Sequence, residues 1–442
     1  MADAAATPPP VLVIGGGWAG LSAAVTLAHA GRPVTLIEGA RQLGGRARCV
    51  RFGDQRVDNG QHILVGAYRA VLGLLDTLGV PPAEAFRRMP LDLHLRSLRR
   101  ADLRLRARRL PAPLHLAFAV LAARGLPPAS RLRLARFAAR LLRRRIGLDS
   151  DISAQALLLS EGQDARLVQA LWNPLCLATL NTPLNEASAM LFLEVLRRTF
   201  GGDARQTDLL IPRTDLGALL PEPAMEFIER RGGSVVLNRR IQGLELDGER
   251  LVGVRWRGGA CPATQAILAV HPTMCRRLLM PHPPLAAIAA RIGELRHEPI
   301  TTVYLRYPEP VRVDATLQGL QDGIGQWVFD RQVTGLPGTV AVVISGRGDH
   351  LSLPPEALAA RVGAELAVLH PDWPAAIDHL VIREKRATFA AIPHVDRIRP
   401  APRTPVAGLW LAGDFTATGL PATLEGAVLS GRRAAAGILD ER

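Results

Sequence analysis

The chain has 442 residues, 48% of them hydrophobic, which is enough for two or three domains' worth of core and too apolar for disorder. Its formal net charge is +14, from 54 Lys and Arg against 40 Asp and Glu, with Lys385 as the single lysine. No run of about 20 apolar residues occurs, so no transmembrane helix is expected.

Four scattered cysteines (Cys49, Cys176, Cys261, Cys275) form no C-x-x-C pair, which fits a reducing compartment and argues against a disulfide framework or a zinc site. The eleven histidines form no metal-binding pattern, so no metal is expected. The leading MADAAATPPP has neither a basic n-region nor an apolar h-region, so it does not read as a secretory signal. A cytoplasmic location is expected.

Residues 8–70 read as a first βαβ unit with an extension. An apolar strand over 11–14 runs into Gly15-Gly16-Gly17-Trp18-Ala19-Gly20, and a small-residue helix follows. A second strand over 34–37 ends on Glu38, 18 residues after Gly20. Gly15, Gly17 and Gly20 permit a tight turn, and the backbone of Trp18 and Ala19 can then approach a pyrophosphate at the helix N-terminus. Glu38 falls where an acid accepts hydrogen bonds from a ribose. This strand–turn–helix–strand context points to a bound dinucleotide.

Residues 75–200 read as mostly helical, with Leu, Ala and Arg interleaved as in 130–143. Prolines at 81–82, 111, 113 and 127–128 punctuate them. Within 87–145 there are 17 arginines against two acids, Asp92 and Asp102, a local net of +15 that leaves about −1 for the rest. A solvated helical face would explain this, as would an anionic membrane surface. The membrane is favoured, because arginine alternates with leucine and 114–123 is an apolar stretch too short to span a bilayer. Nucleic acid is not expected, since only Phe118 and Phe137 interleave with these arginines.

Further along, a helix is predicted over 216–231, a strand over 234–238 and a hairpin turning at Asp247-Gly248. Strands over 300–305 and 340–344 flank the segment before a helix at 356–369. The chain closes with a strand at 408–412, a glycine-rich turn and a helix at 425–439. Nucleotide-binding elements thus recur at the start, middle and end. The expected fold class is α/β. It comprises a discontinuous Rossmann-like domain (8–70, 205–275, 396–442), a substrate domain of α+β character (71–204, 276–395) and a helical, Arg-rich, membrane-facing insertion at 80–150.

Leu43-Gly44-Gly45-Arg46-Ala47 extends the first fingerprint in a way not expected of a nicotinamide dehydrogenase. It resembles the second fingerprint of FAD-binding oxidoreductases of the amine oxidase and phytoene desaturase superfamily. The resemblance implies FAD, with Gly44, Gly45 and Arg46 at its diphosphate. Three later stretches resemble that superfamily's further FAD elements. The 233–241 strand implies adenine contact near Ile241. Gly413-Asp414 implies a carboxylate beside the ribityl chain. Glu425-Gly426-Ala427 opens a helix whose positive end suits a reduced flavin. There is no second G-x-G-x-x-G with the right context, so an external electron donor is expected.

The segment Asp58-Asn59-Gly60-Gln61-His62, with 172–183 and 298–305, resembles the squalene-associated hydroxysqualene dehydroxylase family. That resemblance implies reductive removal of an allylic hydroxyl from a hydrophobic C30 isoprenoid, with hydride from reduced FAD. Gly60 and Gln61 would lie beside the flavin. His62 is the candidate proton donor, or a histidine that simply holds the turn, and Asp58 orients it or caps the turn. An oxidative carotenoid desaturase and an amine or protoporphyrinogen oxidase are the alternatives. Cys176 reads as core.

Overall fold

The computed structural model describes residues 9–315 and 317–441. The N-terminal residues 1–8 and the outer limits 8 and 442 of the expected domain therefore lie outside the described residues.

A five-stranded sheet forms the first layer. Its order is Ser234–Val236, Val34–Ile37, Val11–Ile14, Ala266–Leu268, Leu409–Leu411, and every neighbouring pair is parallel. The central strands are apolar at consecutive positions because both faces are covered. Val11–Ile14, Ala266–Leu268 and Leu409–Leu411 are buried at each residue. Helices Trp18–His29 and Leu424–Asp440 pack on this sheet and on each other. Ser22 Oγ donates to the Val428 carbonyl at 2.9 Å. A Cβ at Gly431 would stand 2.1 Å from the Ala19 oxygen, so the two helices meet backbone to backbone there.

The second layer is a seven-stranded sheet with the order Asp378–Phe389, His297–Arg306, Thr339–Ser345, Trp327–Asp330, Leu317–Gln321, Asp92–Ser97, Leu103–Arg106. It is antiparallel except where Leu317–Gln321 runs parallel to Asp92–Ser97. Side chains alternate between its faces. Val303, Leu305, Val328 and Val342 pack under the helix Pro355–Leu369. Trp327, Phe329 and Val343 point the other way, into the cavity described below.

Two expectations about local structure are corrected. The helical reading of 75–200 fails at Phe86–Met89, Asp92–Ser97 and Leu103–Arg106, which are strands. There leucine and polar residues alternate with a period of two: Leu93, Leu95, Leu103 and Leu105 are buried, and the residues between them are not. Helical periodicity does hold over Pro128–Leu142, where Ser130, Leu134, Phe137 and Leu141 are buried. The single helix expected at 216–231 is two, Leu216–Leu219 and Pro221–Arg230. Pro221 supplies no N–H to continue the first.

Candidate active site

The turn after Val11–Ile14 has a separate reason for each glycine. Gly15 has φ +110° and lies so near the Ala269 carbonyl that a Cβ would sit 2.5 Å from its oxygen. Gly20 packs onto the turn itself, with a Cβ position only 1.9 Å from the Gly15 oxygen. Gly17 differs: its nearest neighbour would be Gly45 Cα at 3.9 Å. Nothing in the protein requires glycine at 17, so the space in front of it is left for a ligand. Helix Trp18–His29 starts here with no side-chain cap and no acid in its first turn. Its first residues, Trp18 and Ala19, border the same space, and a helix N-terminus is a favourable place for a phosphate. Gly44 and Gly45, both at positive φ, bring the second fingerprint alongside through a bridge from Gly17 to Gly44.

Glu38 stands at the end of its strand as expected and accepts hydrogen bonds from Gly16 N (2.6 Å) and Ala40 N (2.7 Å). Ile241 is buried at the start of the hairpin Ile241–Asp247/Arg250–Trp256. The strand expected to lead into it, 234–238, is shorter and ends at Val236. Arg46 donates to Asp414 Oδ1 at 2.6 Å and to the Ala387 carbonyl at 2.7 Å. Its guanidinium is thus paired with the carboxylate of the last fingerprint. Ala427 and Gly413 border the same cavity. Glu425 accepts from Ala70 N (2.8 Å) and Val71 N (3.0 Å), capping the helix Arg69–Thr77. Its carboxylate is committed to that cap, and Thr423 caps Gly426 N (3.1 Å).

All the candidate cofactor residues border one cavity of about 1280 Å³ except Gly20 and Gly426, which act from behind through packing. Gly60, Gln61 and His62 line it too. Asp58 does not, and no hydrogen bond joins its carboxylate to His62, so of its two expected roles, orienting His62 or capping the turn, the first is corrected. The Asp58 carboxylate accepts from Leu216 N (2.7 Å) and Arg331 Nη2 (3.2 Å) and is almost fully buried. Burial pushes it up to about 6, against the opposing pull of Arg331. His62 Nδ1 lies 2.9 Å from the Gly60 carbonyl, so that nitrogen carries the proton of the neutral ring. Burial, with Arg331 adding to it, holds the ring below the ordinary imidazole value.

The cavity also has apolar walls, formed by Leu175, Leu180, Leu196, Ile300, Trp327 and Phe329. Segment 172–196 contributes Leu175, Ala178, Leu180, Val195 and Leu196 among others, whereas 298–305 contributes only Ile300. Cys176 is core, with Sγ 3.6 Å from the Thr182 carbonyl and its thiol pushed up by burial. Sequence reasoning missed Arg331 and Tyr304. A lone arginine after a strand carries no pattern that marks it. Tyr304 is only a residue of an apolar strand until Asp58 and Gln61 fold onto it.

Open space at a glycine turn and helix N-terminus, joined to a large cavity with apolar walls, suits a dinucleotide cofactor beside an apolar substrate, as in flavin-dependent oxidoreductases. The chain belongs to the family of flavin-containing amine oxidoreductases, whose model matches residues 18–439. Within it, the chain is similar to the hydroxysqualene dehydroxylase of Sinorhizobium fredii, 32% identical over 97% of this chain and 98% of the relative. It is also 26% identical to a 15-cis-phytoene desaturase of an Oncidium hybrid cultivar, over 98% of this chain and 78% of the relative. An oxidoreductase of Methanosarcina mazei shares the fold at a TM-score of 0.77 and 16% identity, covering 98% of this chain and 100% of that one. The protein is an FAD-dependent oxidoreductase, and the open space at Gly17 fits that cofactor.

Proposed function

We propose that the protein removes the allylic hydroxyl of hydroxysqualene reductively, giving squalene and water. The observation that carries this reading is the single cavity that joins the Gly17 cradle to the apolar walls at Leu175, Trp327 and Phe329. A C30 isoprenoid has little to offer a site except apolar surface, and each buried CH₂ contributes about 0.8 kcal/mol. The similarity to hydroxysqualene dehydroxylase supports the same substrate. When bound and reduced, FAD supplies the hydride.

The chain's own residues have the remaining tasks. The apolar walls exclude water from a carbon that develops positive charge. His62, whose Nε2 has no hydrogen-bond partner among the described residues, protonates the hydroxyl from its imidazolium form. A ring held below the ordinary value is the stronger acid but is protonated only at lower pH. Electrons come from an external donor.

The substrate comes from lipid, and the protein meets an anionic membrane surface. Leu114 (57% exposed), Leu121 (63%) and Leu132 (63%) project from helices Leu114–Leu121 and Pro128–Leu142. Among the described residues, Arg136, Arg143, Arg144 and Arg145 are exposed and carry no ion pair, whereas Arg133 and Arg140 pair with Asp164 and Glu161. Each free arginine near such a surface contributes about 1 kcal/mol. No helix among the described residues is long and apolar enough to cross a membrane.

The deciding experiment is anaerobic turnover of hydroxysqualene by the chemically reduced holoenzyme. Squalene is the expected product. No squalene, together with new conjugated double bonds when the oxidised holoenzyme is given phytoene, would favour the oxidative desaturase reading, which the 26% identity to a phytoene desaturase supports.

A further inference from the structure

At the Gly60–His62 wall four residues, Asp58, Gln61, Tyr304 and Arg331, close a hydrogen-bonded ring. Arg331 donates from Nη2 to Asp58 Oδ2 at 3.2 Å and from Nη1 to Gln61 Oε1. Gln61 Nε2 donates to the Tyr304 hydroxyl at 2.6 Å. The Tyr304 hydroxyl donates to the Asp58 carbonyl at 2.7 Å, which closes the ring. Arg331 and Asp58 are 5% and 2% exposed at the side chain, so their pairing is almost free of solvent screening.

The ring joins two parts of the chain far apart in sequence. Arg331 directly follows the strand Trp327–Asp330, whose Trp327 and Phe329 face the cavity. Gln61 and His62 face the cavity from the opposite segment. Both ends of the Gln61 amide are held, so it has one orientation. Asp58 is held at its carboxylate and at its carbonyl. Replacing a buried ion pair by apolar groups is often neutral for stability, so the pair is weak evidence for a stabilising role. Its geometry is better suited to fixing a spacing.

We propose that Arg331 is a positioning residue: through Asp58 and Gln61 it sets the Gly60–His62 wall at a fixed distance from Trp327 and Phe329, and so aligns substrate with the flavin. The proposal rests on the reading of this cavity as the joint cofactor and substrate site. Misplacing reacting groups by about 1 Å costs up to about 100-fold in rate.

The test uses the holoenzyme of Arg331→Met, of Arg331→Lys and of Asp58→Asn combined with Arg331→Met. FAD stoichiometry, melting temperature, visible circular dichroism of the bound flavin, and kcat and KM with hydroxysqualene are measured. The double variant is expected to melt near the wild type and keep its FAD. Its flavin dichroism should change and kcat should fall about tenfold or more, with KM moving less than about threefold. Lysine should recover part of the rate. Unchanged dichroism and kcat in a folded double variant overturn the proposal, as does a loss confined to melting temperature. If hydroxysqualene is not the substrate, the dichroism still decides, because it needs no turnover. If the Arg331 variants do not fold, Tyr304→Phe removes the hydroxyl's donation to the Asp58 carbonyl and its acceptance from Gln61 Nε2, opening the ring at that corner. A dichroism change there supports the proposal, and an unaltered spectrum rejects it.

Discussion

Arg46 and Asp414 meet with the guanidinium Nη2 2.6 Å from the carboxylate Oδ1, across 368 residues of sequence. Each belongs to a different fingerprint, and the pair couples them. Arg46→Ala and Asp414→Asn should each weaken FAD binding about tenfold, roughly 1.4 kcal/mol. The double variant should lose clearly less than the product of the two, because the residues act together. Quenching of flavin fluorescence on titration into apoprotein measures this. Fully additive losses would mean that the pair is not a unit.

Gly17 and Gly20 should respond differently to the same substitution. Gly17→Ala has room in the protein, so it should melt within a few degrees of the wild type yet bind FAD about tenfold more weakly or worse. Gly20→Ala drives a methyl to 1.9 Å from the Gly15 oxygen and should fail to give soluble holoprotein. Purification yield, melting curves and flavin content separate the two. A Gly17→Ala protein with normal FAD affinity would show that the space at that position belongs to no ligand.

The pH profile reports on His62. Its ring titrates below the ordinary value of 6.5. As general acid it must be protonated, so turnover should rise as pH falls through that lowered pKa and flatten below it. His62→Ala should remove this limb and leave flavin content unchanged. A wild-type profile in the variant would leave His62 as a residue that only holds the turn.

Acid stability reports on another histidine. Burial first, then Arg46, pushes His271 down to about 4. A base with a depressed folded value contributes stability above its unfolded value of 6.5, and loses it as pH falls towards 4. His271→Gln should therefore flatten the dependence of melting temperature on pH between about 6.5 and 4. Parallel curves for variant and wild type would count against this.

Membrane contact can be separated from cofactor binding. Replacing Arg136, Arg143, Arg144 and Arg145 with Gln, together with Leu132→Ser, should release the protein from anionic liposomes while FAD stays bound. Unchanged co-sedimentation would discard the membrane surface as a partner.

The nucleotide layer was legible because its signals are local. The strand Val11–Ile14, the glycines after it and Glu38 lie within one short stretch of sequence, and Gly20 packs against Gly15 in that same turn, although Gly15 itself packs against the distant Ala269. The substrate layer was not legible for the opposite reason. Asp378–Phe389 is a twelve-residue strand whose residues are mostly half-buried, so no alternation of apolar and polar residues marks it. Asp92–Ser97 and Leu103–Arg106 alternate clearly, but Arg96, Arg104 and Arg106 at their polar positions resemble the Leu-and-Arg interleaving of the helical run that follows. Asp58 is placed by the sequence beside His62 or at the turn, with no sign of its partners. Its real contacts, Leu216 and Arg331, lie 158 and 273 residues away, and sequence gives no measure of such distances.

The parallel sheet carries a consequence for synthesis. Its edge strand Leu409–Leu411 and the helix Leu424–Asp440, which lies against the fingerprint helix Trp18–His29, come hundreds of residues after the glycine turn they support. A growing chain can form Val11–Ile14 and its turn early, but the strand and helix that complete that layer leave the ribosome only hundreds of residues later. Cofactor capture is then a late event, and a messenger truncated before codon 409 should yield a colourless polypeptide however much flavin the cell contains.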